Sequence, residues 1–498
     1  MSDLVKKRKK LQPVRLEFLG KPDDSIAALI AKTLKVRDSF IFWQTAPLTM
    51  DFLSSVERKL EKNSELFFAP LTPQKSPSID TKRPMIEQIK QHDIMLNYPY
   101  ENINQFIRLL EEAAENPDVV SIKITLYRVA RDSKIISALT RAAENGKDVL
   151  ALVELRARFD EENNIGWSKC LEDAGVTVIY GLDELKVHSK LLLITLRDGN
   201  DVSYITQVGT GNYNERTSKL YTDLTLMTAD RDFGSDASVV FNALAVGNTV
   251  ESTNKLLVAP KGLKSRIVEL IDNEITYKDK GYIGIKMNSL TDKDIIEKLA
   301  EASRAGVKIE LVVRGICCLI AGVEGDTENI RVISIVGRFL EHSRIYIFGT
   351  GDRRRVYISS ADFMTRNTER RVEVAAPLLD KSIADRAVEI FETMLRDNVK
   401  AREQDSDGNY YHVQPKEGEP RLNSQIYFYE QAYKAAEQAQ HEEEEREQNL
   451  RERKAPKAEE LAQAAAALGA PYTVPTAPNG YSQSAKPIHQ VKIRRIRK

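Results

Sequence analysis

Cysteine is scarce in this sequence, and the few cysteines present form no framework. The 498 residues contain three, Cys170, Cys317 and Cys318, and the last two are adjacent. Disulfide scaffolds and cysteine-based zinc sites need paired or regularly spaced cysteines, so both are excluded. Unpaired thiols suit a reducing cytoplasm.

An excess of one charge and a long apolar run are also missing. Lys plus Arg equals Asp plus Glu at 73 each, which argues against a nucleic-acid coat, so any anion site must be local. Nowhere do the roughly 18 apolar residues of a membrane span run together. The start, MSDLVKKRKK, has no apolar segment of a signal peptide. We therefore expect a soluble cytoplasmic protein without a nucleic-acid partner.

The common nucleotide and metal motifs are absent as well. The chain lacks GxxxxGK[ST], and Gly209-x-Gly211 and Gly349-x-Gly351 lack the third glycine of a dinucleotide fingerprint. No HExxH is present, which makes a zinc enzyme an unfavoured interpretation. An enzyme of nucleotides would have to use another kind of site.

What the sequence does contain is an alternation of strand and helix from about residue 84. Residues 121–127 are typical of a buried strand, Asp132-Ser133 can cap a helix that Gly146 ends, and 148–155 is the next strand. This alternation predicts an α/β fold with covered sheets. Residues 1–83 contain a strand-like VRLEF and a helix begun by Asp23-Asp24-Ser25, too little to stand alone.

The alternation occurs twice. Residues 135–155 align with 295–315, and Val187-His188-Ser189-Lys190-Leu191 resembles Glu341-His342-Ser343-Arg344-Ile345. Small-residue loops follow both histidines, at 209–212 and 359–362. Any helix-glycine-strand unit looks like another, but the histidine segments recur in the same order, which favours an internal duplication. Beyond about residue 425 the composition becomes charged and then Ala-rich, which predicts an exposed helix and a disordered tail ending in KIRRIRK.

Two of the six histidines, His188 and His342, lie at the ends of predicted strands, each with a cation two residues later. Because residues i and i+2 share a face of a strand, His188 with Lys190 and His342 with Arg344 place an imidazole beside a positive charge. Such a face suits a phosphate. A neutral imidazole can attack phosphorus while cations stabilise the transferring oxygens, and a second histidine can serve as acid or base. A single buried histidine is more often structural; the duplicated context favours the catalytic interpretation.

The H-x-K pair followed by Gly-Thr-Gly-Asn resembles the phospholipase D superfamily, although the usual acidic residue after Lys190 is absent and the second copy has Arg344 in place of lysine. A longer resemblance, from about residue 5 to 425, is to bacterial polyphosphate kinases of the first type. It rests on long, ungapped segments: KITLYRVARDS (123–133), VELRARFDEENNIGW (153–167), VHSKLLLI (187–194), VGTGNYNERTSKLYTD (208–223), VRGICCL (313–319), ENIRVISIVGRFLEHSRIYIF (328–348) and YISSADFMTRN (357–367).

The resemblance implies an organisation for the whole chain. It implies an α/β fold with two phospholipase-D-like modules related by duplication, at 84–250 and 251–425. Residues 1–83 resemble the last part of the family's middle domain, and 426–498 form the charged tail outside the resemblance. We therefore expect the family's N-terminal domain and most of its middle domain to be missing. The resemblance further implies a cytoplasmic homo-oligomer and leaves open a peripheral association with membranes.

The resemblance also implies an activity, the reversible transfer of the ATP γ-phosphate to inorganic polyphosphate through a phosphohistidine. The nucleophile falls on His188 and the facing acid or base on His342. Tyr221, Arg314 and His342 fall on positions that contact ATP in such proteins, and Lys190 and Arg344, the cations beside the histidines, are expected to bind phosphate as well. Arg128 and Arg158 fall on positions associated with Mg²⁺, the expected cofactor; since a guanidinium cannot ligate a cation, we expect both to hold phosphate oxygens whose other oxygens bind Mg²⁺.

Other interpretations stay open at this point. Arg128 and Arg158 could neutralise neighbouring acidic residues, and Tyr221 and Arg314 could be ordinary surface residues, although Arg314 follows the apolar run IELVV, which predicts a place at the C-terminal end of a strand. For the whole chain, one rival function is a phosphodiesterase or nuclease. The other is an inactive, truncated remnant that binds polyphosphate.

Overall fold

The fold consists of two large mixed sheets with helices packed around them. The computed structural model describes Lys7 and residues 10–130, 132–154, 161–182 and 185–467. The described chain divides into two compact units, Met1–Ala436 and Glu437–Lys498. Both sheets, and every site residue discussed below, lie in the first unit.

The strands of the described residues are numbered in chain order: β1 Leu16–Leu19, β2 Ile41–Gln44, β3 Ile94–Tyr98, β4 Val119–Leu126, β5 Asp148–Val153, β6 Thr177–Ile179, β7 Lys186–Val187, β8 Leu191–Asp198, β9 Asp201–Gly209, β10 Tyr221–Thr228, β11 Leu257–Val258, β12 Tyr282–Met287, β13 Lys308–Val313, β14 Ile330–Ile335, β15 Leu340–Glu341, β16 Ile345–Phe348, β17 Arg355–Ser359, β18 Arg371–Val372, β19 Val374–Pro377, β20 Ala401–Gln404 and β21 Tyr410–His412.

The α-helices are Asp24–Leu34, Leu53–Leu60, Met85–Gln91, Asn104–Glu115, Lys134–Glu144, Glu161–Asp173, Arg231–Ala245, Leu263–Tyr277, Lys293–Arg304, Thr365–Glu369, Lys381–Leu395 and Ser424–Ala467. Single 3₁₀ turns lie at Asp38–Phe40, Ser64–Leu66, Thr217–Lys219, Lys278–Lys280 and Gly351–Arg353. None of the described helices combines the length and apolar character that crossing a membrane requires.

The first sheet has the order β3-β10-β9-β8-β4-β5-β6, in which β4, β5 and β6 are parallel and the other pairings are antiparallel. The second sheet has the order β11-β19-β17-β16-β12-β13-β14 and the same directions, with β20 and β21 added at its edge. Seven strands of one sheet thus correspond to seven of the other. This repeated topology confirms the predicted α/β fold and its internal duplication.

The crossover helices show why the repeated sequence folds twice in the same way. Ser133 caps the helix Lys134–Glu144 by accepting a hydrogen bond from Ile135 N at 3.1 Å, and Asp292 caps Lys293–Arg304 in the same manner. After each helix a glycine adopts a positive φ, +81° at Gly146 and +94° at Gly306, which ends the helix and turns the chain into the next strand. The helix and strand boundaries predicted at 121–155 are confirmed to within a few residues.

Three apolar cores hold the sheets together. One lies within the first half, one within the second, and the third contains buried residues of both halves, including Leu193 and Val208 of the first sheet and Ile347 and Ile358 of the second. Burying side chains of both sheets in one core is the dominant favourable term in such packing. The shared core therefore fixes the two sheets against each other.

Two short strand pairs also cross from one half to the other. Strand β7 pairs in parallel with β18, and β15 pairs in parallel with β10. Each of β7 and β15 immediately precedes a histidine segment singled out in the sequence. The duplication thus places both segments at the boundary between the halves.

Residues 10–83 form a small region outside the two large sheets. Strands β1 and β2 pair in parallel, and the helix Asp24–Leu34 begins at its cap Asp23, as predicted. Large apolar side chains remain exposed here, with Trp43 57% and Phe68 77% accessible. This region contributes little to the apolar cores.

Candidate active site

The two histidines lie in three-residue connections between short and long strands. His188 follows β7 and precedes β8, and His342 follows β15 and precedes β16. Backbone bonds hold the first connection, since His188 N and Ser189 N both donate to Val372 O at 2.9 Å. Strands β7 and β15 each pair with a strand of the other half and end where the chain enters the sheet of its own half.

His188 is hydrogen-bonded to a buried carboxylate from the other half. Its Nδ1 lies 2.9 Å from Oε1 and 3.0 Å from Oε2 of Glu373, a fully buried side chain. Burial lowers the pKa of His188 to about 3 and outweighs the opposing effect of Glu373, so the ring is neutral near pH 7. A neutral ring that donates through Nδ1 keeps its lone pair on Nε2.

Glu373 is itself held by hydrogen-bond donors. Ser360 Oγ donates to Oε2 at 2.5 Å, and Asn367 Nδ2 donates to Oε1 at 2.6 Å. Burial alone would raise the pKa of Glu373, but His188 and Lys190 lower it below its ordinary value. The carboxylate is therefore ionised and fixed, and it orients the imidazole.

His342 has the matching arrangement. Its Nδ1 lies 2.8 Å and 3.0 Å from the two oxygens of Asp223, and Thr210 Oγ1 donates to the same carboxylate at 2.6 Å. Burial lowers the pKa of His342, although Asp223 opposes the shift. His342 is thus also a neutral imidazole whose Nε2 is the nitrogen left for chemistry.

The carboxylates are exchanged between the halves. Asp223, in the first half, binds the histidine of the second, whereas Glu373, in the second half, binds the histidine of the first. Glu373 lies 150 positions after Asp223, and Ser360, which donates to Glu373, lies 150 positions after Thr210. The two sites are therefore related by the duplication, and each is completed by the opposite half.

Lys190 and Arg344 are buried beside the histidines and contact different groups. Lys190 Nζ donates to the backbone oxygen of His188, and burial lowers the pKa of the ammonium to about 7. Arg344 forms an ion pair with Asp362, with Nε 3.1 Å from Oδ1, and its Nη1 lies 3.3 Å from Nε2 of His342. Residues 188–190 and 342–344 are connections and not the strand residues that the sequence predicts, so the cations lie beside the histidines through these contacts and not through a shared strand face.

The charges of the two halves act on one another. Lys190 lowers the pKa of both His188 and His342, and Arg344 contributes to the lowered pKa of Lys190. Arg344 Nη1 also donates to Thr210 O of the first half at 3.1 Å. The structure thus brings both histidines and both cations into one electrostatic centre.

Aromatic rings flank both imidazoles. The ring of Tyr221 lies 5.2 Å from that of His342, and the ring of Tyr127 lies 5.1 Å from that of His188 in an edge-on arrangement. Arg128 lies over the Tyr127 ring at 5.6 Å, which places it on the His188 side. Tyr127 was not singled out from the sequence.

Arg314 lies directly after β13, at the strand end where the sequence predicted it. Its Nε donates to Glu341 O at 2.8 Å and to Asn288 Oδ1 at 3.2 Å, and the side chain is half-buried. Arg314 is thus tied to the peptide that precedes His342. Arg158 falls outside the described residues, so its predicted role stays a prediction.

The side chains that the structure describes do not form a magnesium site by themselves. Among the residues that the structure describes, no group of three or more His, Cys, Asp or Glu side chains could hold a metal. Three acidic groups at the site, Asp223, Glu373 and Asp362, already bind His342, His188 and Arg344, and a fourth, Glu341, pairs with Lys286. Magnesium would need oxygen ligands from another source, such as the phosphates of a nucleotide.

Asp223 and Glu373 are not among the site residues predicted from the sequence. Asp223 ends a segment quoted for the family resemblance, and extending the alignment of the loops 209–212 and 359–362 by eleven residues pairs it with Glu373. This extended alignment is the sequence signal that could have identified the two carboxylates. Asn214, in the loop after β9, caps a turn, because its Oδ1 accepts from Arg216 N and Thr217 N at 3.0 Å.

Comparison with known proteins gives consistent matches. The family models for polyphosphate kinase C-terminal domain 1 and C-terminal domain 2 match residues 84–250 and 256–425. A polyphosphate kinase of Bacillus anthracis is 46% identical over 435 residues, covering 86% of this chain and 62% of the relative. One of Staphylococcus epidermidis is 45% identical over 441 residues, covering 87% and 59%.

A solved structure agrees with these matches. The crystal structure of polyphosphate kinase from Porphyromonas gingivalis superposes with a TM-score of 0.76 at 35% identity, covering 85% of this chain and 65% of that one. The chain therefore spans about three fifths of the length of the relatives it matches. Both histidine sites lie within the matched residues.

Proposed function

Because the chain belongs to the polyphosphate kinase family, we propose that it reversibly transfers the γ-phosphate of ATP to inorganic polyphosphate through a phosphohistidine at His188. The observation that carries the proposal is the buried bond between His188 Nδ1 and Glu373 at 2.9 Å, which leaves Nε2 as the nucleophile. The catalytic modules are the two halves, 84–250 and 251–425. A cytoplasmic homo-oligomer is part of the proposal on the strength of the family alone.

In the first step, the Nε2 lone pair of His188 attacks the γ-phosphorus of ATP. The P–N bond forms as the bond from phosphorus to the bridging oxygen breaks, and ADP leaves with that electron pair. The Nδ1 proton stays on its bond to Glu373, which stabilises the positive charge that develops on the ring. Glu373 therefore orients the nucleophile without becoming protonated.

In the second step, a terminal oxygen of polyphosphate attacks the phosphorus on His188. The new P–O bond forms as the P–N bond breaks, so the chain grows by one phosphate and the imidazole returns to its neutral state. His342, neutral and fixed by Asp223, accepts the proton of a protonated terminal phosphate and returns it in the reverse direction. Lys190, Arg344 and Arg314 place positive charge near the transferring oxygens.

Magnesium enters this proposal as part of the substrate. Since Glu373, Asp223 and Asp362 already bind His188, His342 and Arg344, we infer that the phosphates of ATP supply the ligands of Mg²⁺. Arg128 then contacts phosphate oxygens and not the metal. No step of the transfer is assigned to a magnesium ion held by the protein.

The test is covalent labelling with γ-labelled ATP and Mg²⁺. We expect acid-labile, base-stable phosphate on the unaltered protein and none on His188→Ala. His342→Ala should acquire label but pass it to polyphosphate slowly. His412→Ala, at an exposed position in β21, serves as the matched control and should behave like the unaltered protein.

Three outcomes would contradict the proposal. Label that persists in His188→Ala would remove the nucleophile assignment. Release of nucleotides or alcohols from phosphodiesters, without use of ATP, would identify a phosphodiesterase. Salt-sensitive binding of polyphosphate by the folded protein without any turnover would identify a binding remnant.

A further inference from the structure

A buried ion pair lies next to His342, and the two corresponding positions next to His188 carry other residues. Lys286 Nζ pairs with Glu341 Oε2 at 3.2 Å, and the two side chains are only 1% and 3% exposed. In the duplicated topology Thr125 corresponds to Lys286 and Val187 corresponds to Glu341, so the first half has a hydroxyl and an apolar group there. Thr125 Oγ1 donates to Ser189 O at 2.8 Å, as Lys286 Nζ donates to Ser343 O at 3.0 Å.

The network fixes the peptide segment that carries His342. Thr222 Oγ1 donates to Glu341 Oε2 at 3.0 Å and accepts from His342 N at 3.1 Å. Lys286 binds the carbonyl oxygen of Ser343, and Arg314 binds that of Glu341 at 2.8 Å. The peptide groups before and after His342 are thus held by Thr222 and Lys286, which both contact the Glu341 carboxylate, and by Arg314.

The remaining oxygen of Glu341 is satisfied from the long C-terminal helix. Gln425, the second residue of the helix Ser424–Ala467, donates from Nε2 to Glu341 Oε1 at 2.6 Å and to Phe339 O at 2.9 Å, and its Oε1 accepts from Phe339 N at 2.9 Å. Gln425 is 1% exposed. A buried carboxylate oxygen that loses its donor is costly, so Gln425 completes the network.

Gly337 leaves the space that the Gln425 amide fills. A Cβ added at this glycine would lie 2.4 Å from Gln425 Oε1 and 2.8 Å from Gln425 Cδ. Because three hydrogen bonds fix the amide, it cannot move aside without breaking them. The first turn of the helix therefore packs closely against the segment that leads into β15.

We propose that Glu341, held between Lys286 and Gln425, is a positioning residue for His342, and that the first turn of the C-terminal helix acts on the site through Gln425. None of these side chains touches the imidazole, so they act through the backbone at 341–343. The catalytic consequence rests on the proposed function, because His342 is needed for transfer to polyphosphate. The proposal that Glu341 and Gln425 position His342 rests only on the contacts described above.

The experiment compares Gln425→Ala and Gly337→Ala with Glu430→Ala, an exposed residue of the same helix, as the control. Carbethoxylation by diethyl pyrocarbonate, read by mass spectrometry, measures the accessibility of each histidine without any substrate. We expect faster modification of His342 in the two test variants, an unchanged rate at His188, and no change in the control. Equal rates in all variants, or a parallel rise at both histidines, would overturn the inference.

A second readout separates the two steps of the reaction. Label formation at His188 should proceed at the rate of the unaltered protein in Gln425→Ala, while transfer to polyphosphate should fall by about tenfold or more, as expected for a misplaced catalytic group. Equal loss of both steps would assign Gln425 a purely structural role and overturn the inference. Absence of label in the unaltered protein would refute the proposed function, and the modification rates would still decide the positional inference.

A double variant without the Lys286–Glu341 ion pair tests whether Gln425 acts through the charge of Glu341. Lys286→Met with Glu341→Leu replaces the ion pair by apolar groups of similar size. In this background Gln425→Ala no longer leaves a carboxylate oxygen unpaired, so its effect on His342 modification should shrink. An undiminished effect would show that Gln425 does not act through Glu341.

Discussion

At the scale of single residues, the bond from each imidazole to a carboxylate determines which nitrogen reacts. Glu373 and Asp223 accept from Nδ1 of His188 and His342, so Nε2 carries the lone pair in both rings. The two sites nevertheless differ in their cations, since Lys190 lies beside one histidine and Arg344 beside the other. Substitutions at the carboxylates should therefore separate the roles of the two histidines.

Glu373→Gln is expected to reduce label formation from ATP by on the order of 10³-fold, because an amide no longer fixes the Nδ1–H tautomer or stabilises the charged ring. Asp223→Asn should instead leave label formation near normal and slow transfer to polyphosphate. The measurement is the rate of each step in both variants. Equal effects of the two substitutions on both steps would contradict the separate roles.

Lys190→Arg should change the dependence of activity on pH. The ammonium has a pKa lowered to about 7 by burial, so its positive charge is lost as the pH rises through 7, whereas His188 stays neutral down to about pH 3. We expect kcat/KM of the unaltered protein to fall above pH 7 and that fall to move to higher pH in the variant, since a guanidinium stays protonated. Arg344 at the corresponding position shows that a guanidinium can be buried there.

The control for this profile is Lys219→Arg, at an exposed position of the loop before β10. Its profile should match that of the unaltered protein. If kcat/KM of Lys190→Arg falls over the same pH range as that of the unaltered protein, another group controls activity above pH 7.

The histidines and cations could be predicted from the sequence because each histidine lies two residues before its cation. That short segment occurs twice in the chain. Glu373 and Asp223 could not be placed in the same way, since their contacts cross from one half to the other over 185 and 119 residues. Such contacts depend on how the two sheets pack, and no local pattern encodes that. Gln425 is the last residue within the resemblance, and its contact with Glu341 spans 84 residues, which no local pattern predicts.

At the scale of elements, the loop 209–212 must come very close to β10. A Cβ at Gly211 would lie 2.0 Å from Asp223 Oδ2, so Gly211→Ala should displace the carboxylate from His342 and slow transfer. Gly166→Ala is the matched control: this glycine lies in the helix Glu161–Asp173 with open space around it, and alanine should raise the free energy of unfolding by about 0.5–1 kcal/mol.

Transfer kinetics and thermal unfolding check both substitutions. Gly211→Ala with normal transfer would contradict the close approach to Asp223. A destabilised Gly166→Ala would contradict the open surroundings of that helix position.

The positions of helices and strands could be predicted from the sequence better than the pairing of the strands. Cap residues and apolar runs determine where the helix Lys134–Glu144 and strands β4 and β5 begin and end, and those signals are local. The two-residue strands β7 and β15 carry no such signal, since they exist only through partners in the other half. For this reason the histidine segments were interpreted as longer strands.

At the scale of the whole molecule, the site belongs to the unit Met1–Ala436. Every site contact described above lies within it, so deletion of Glu437–Lys498 should leave label formation, transfer and the unfolding temperature unchanged. Deletion from Ser424 onward also removes Gln425 and should slow transfer. Loss of activity in the shorter deletion would show that the second unit takes part in the reaction.

The exchange of carboxylates has a further consequence for the history of this fold. A single ancestral half, with its histidine and one carboxylate, would be incomplete alone but would form two equivalent sites as a two-fold homodimer. Joining the two copies in one chain allowed each site to change by itself. One site has Thr125 and Val187 where the other has Lys286 and Glu341, so the two histidines of one chain lie in different surroundings, which two identical subunits could not provide.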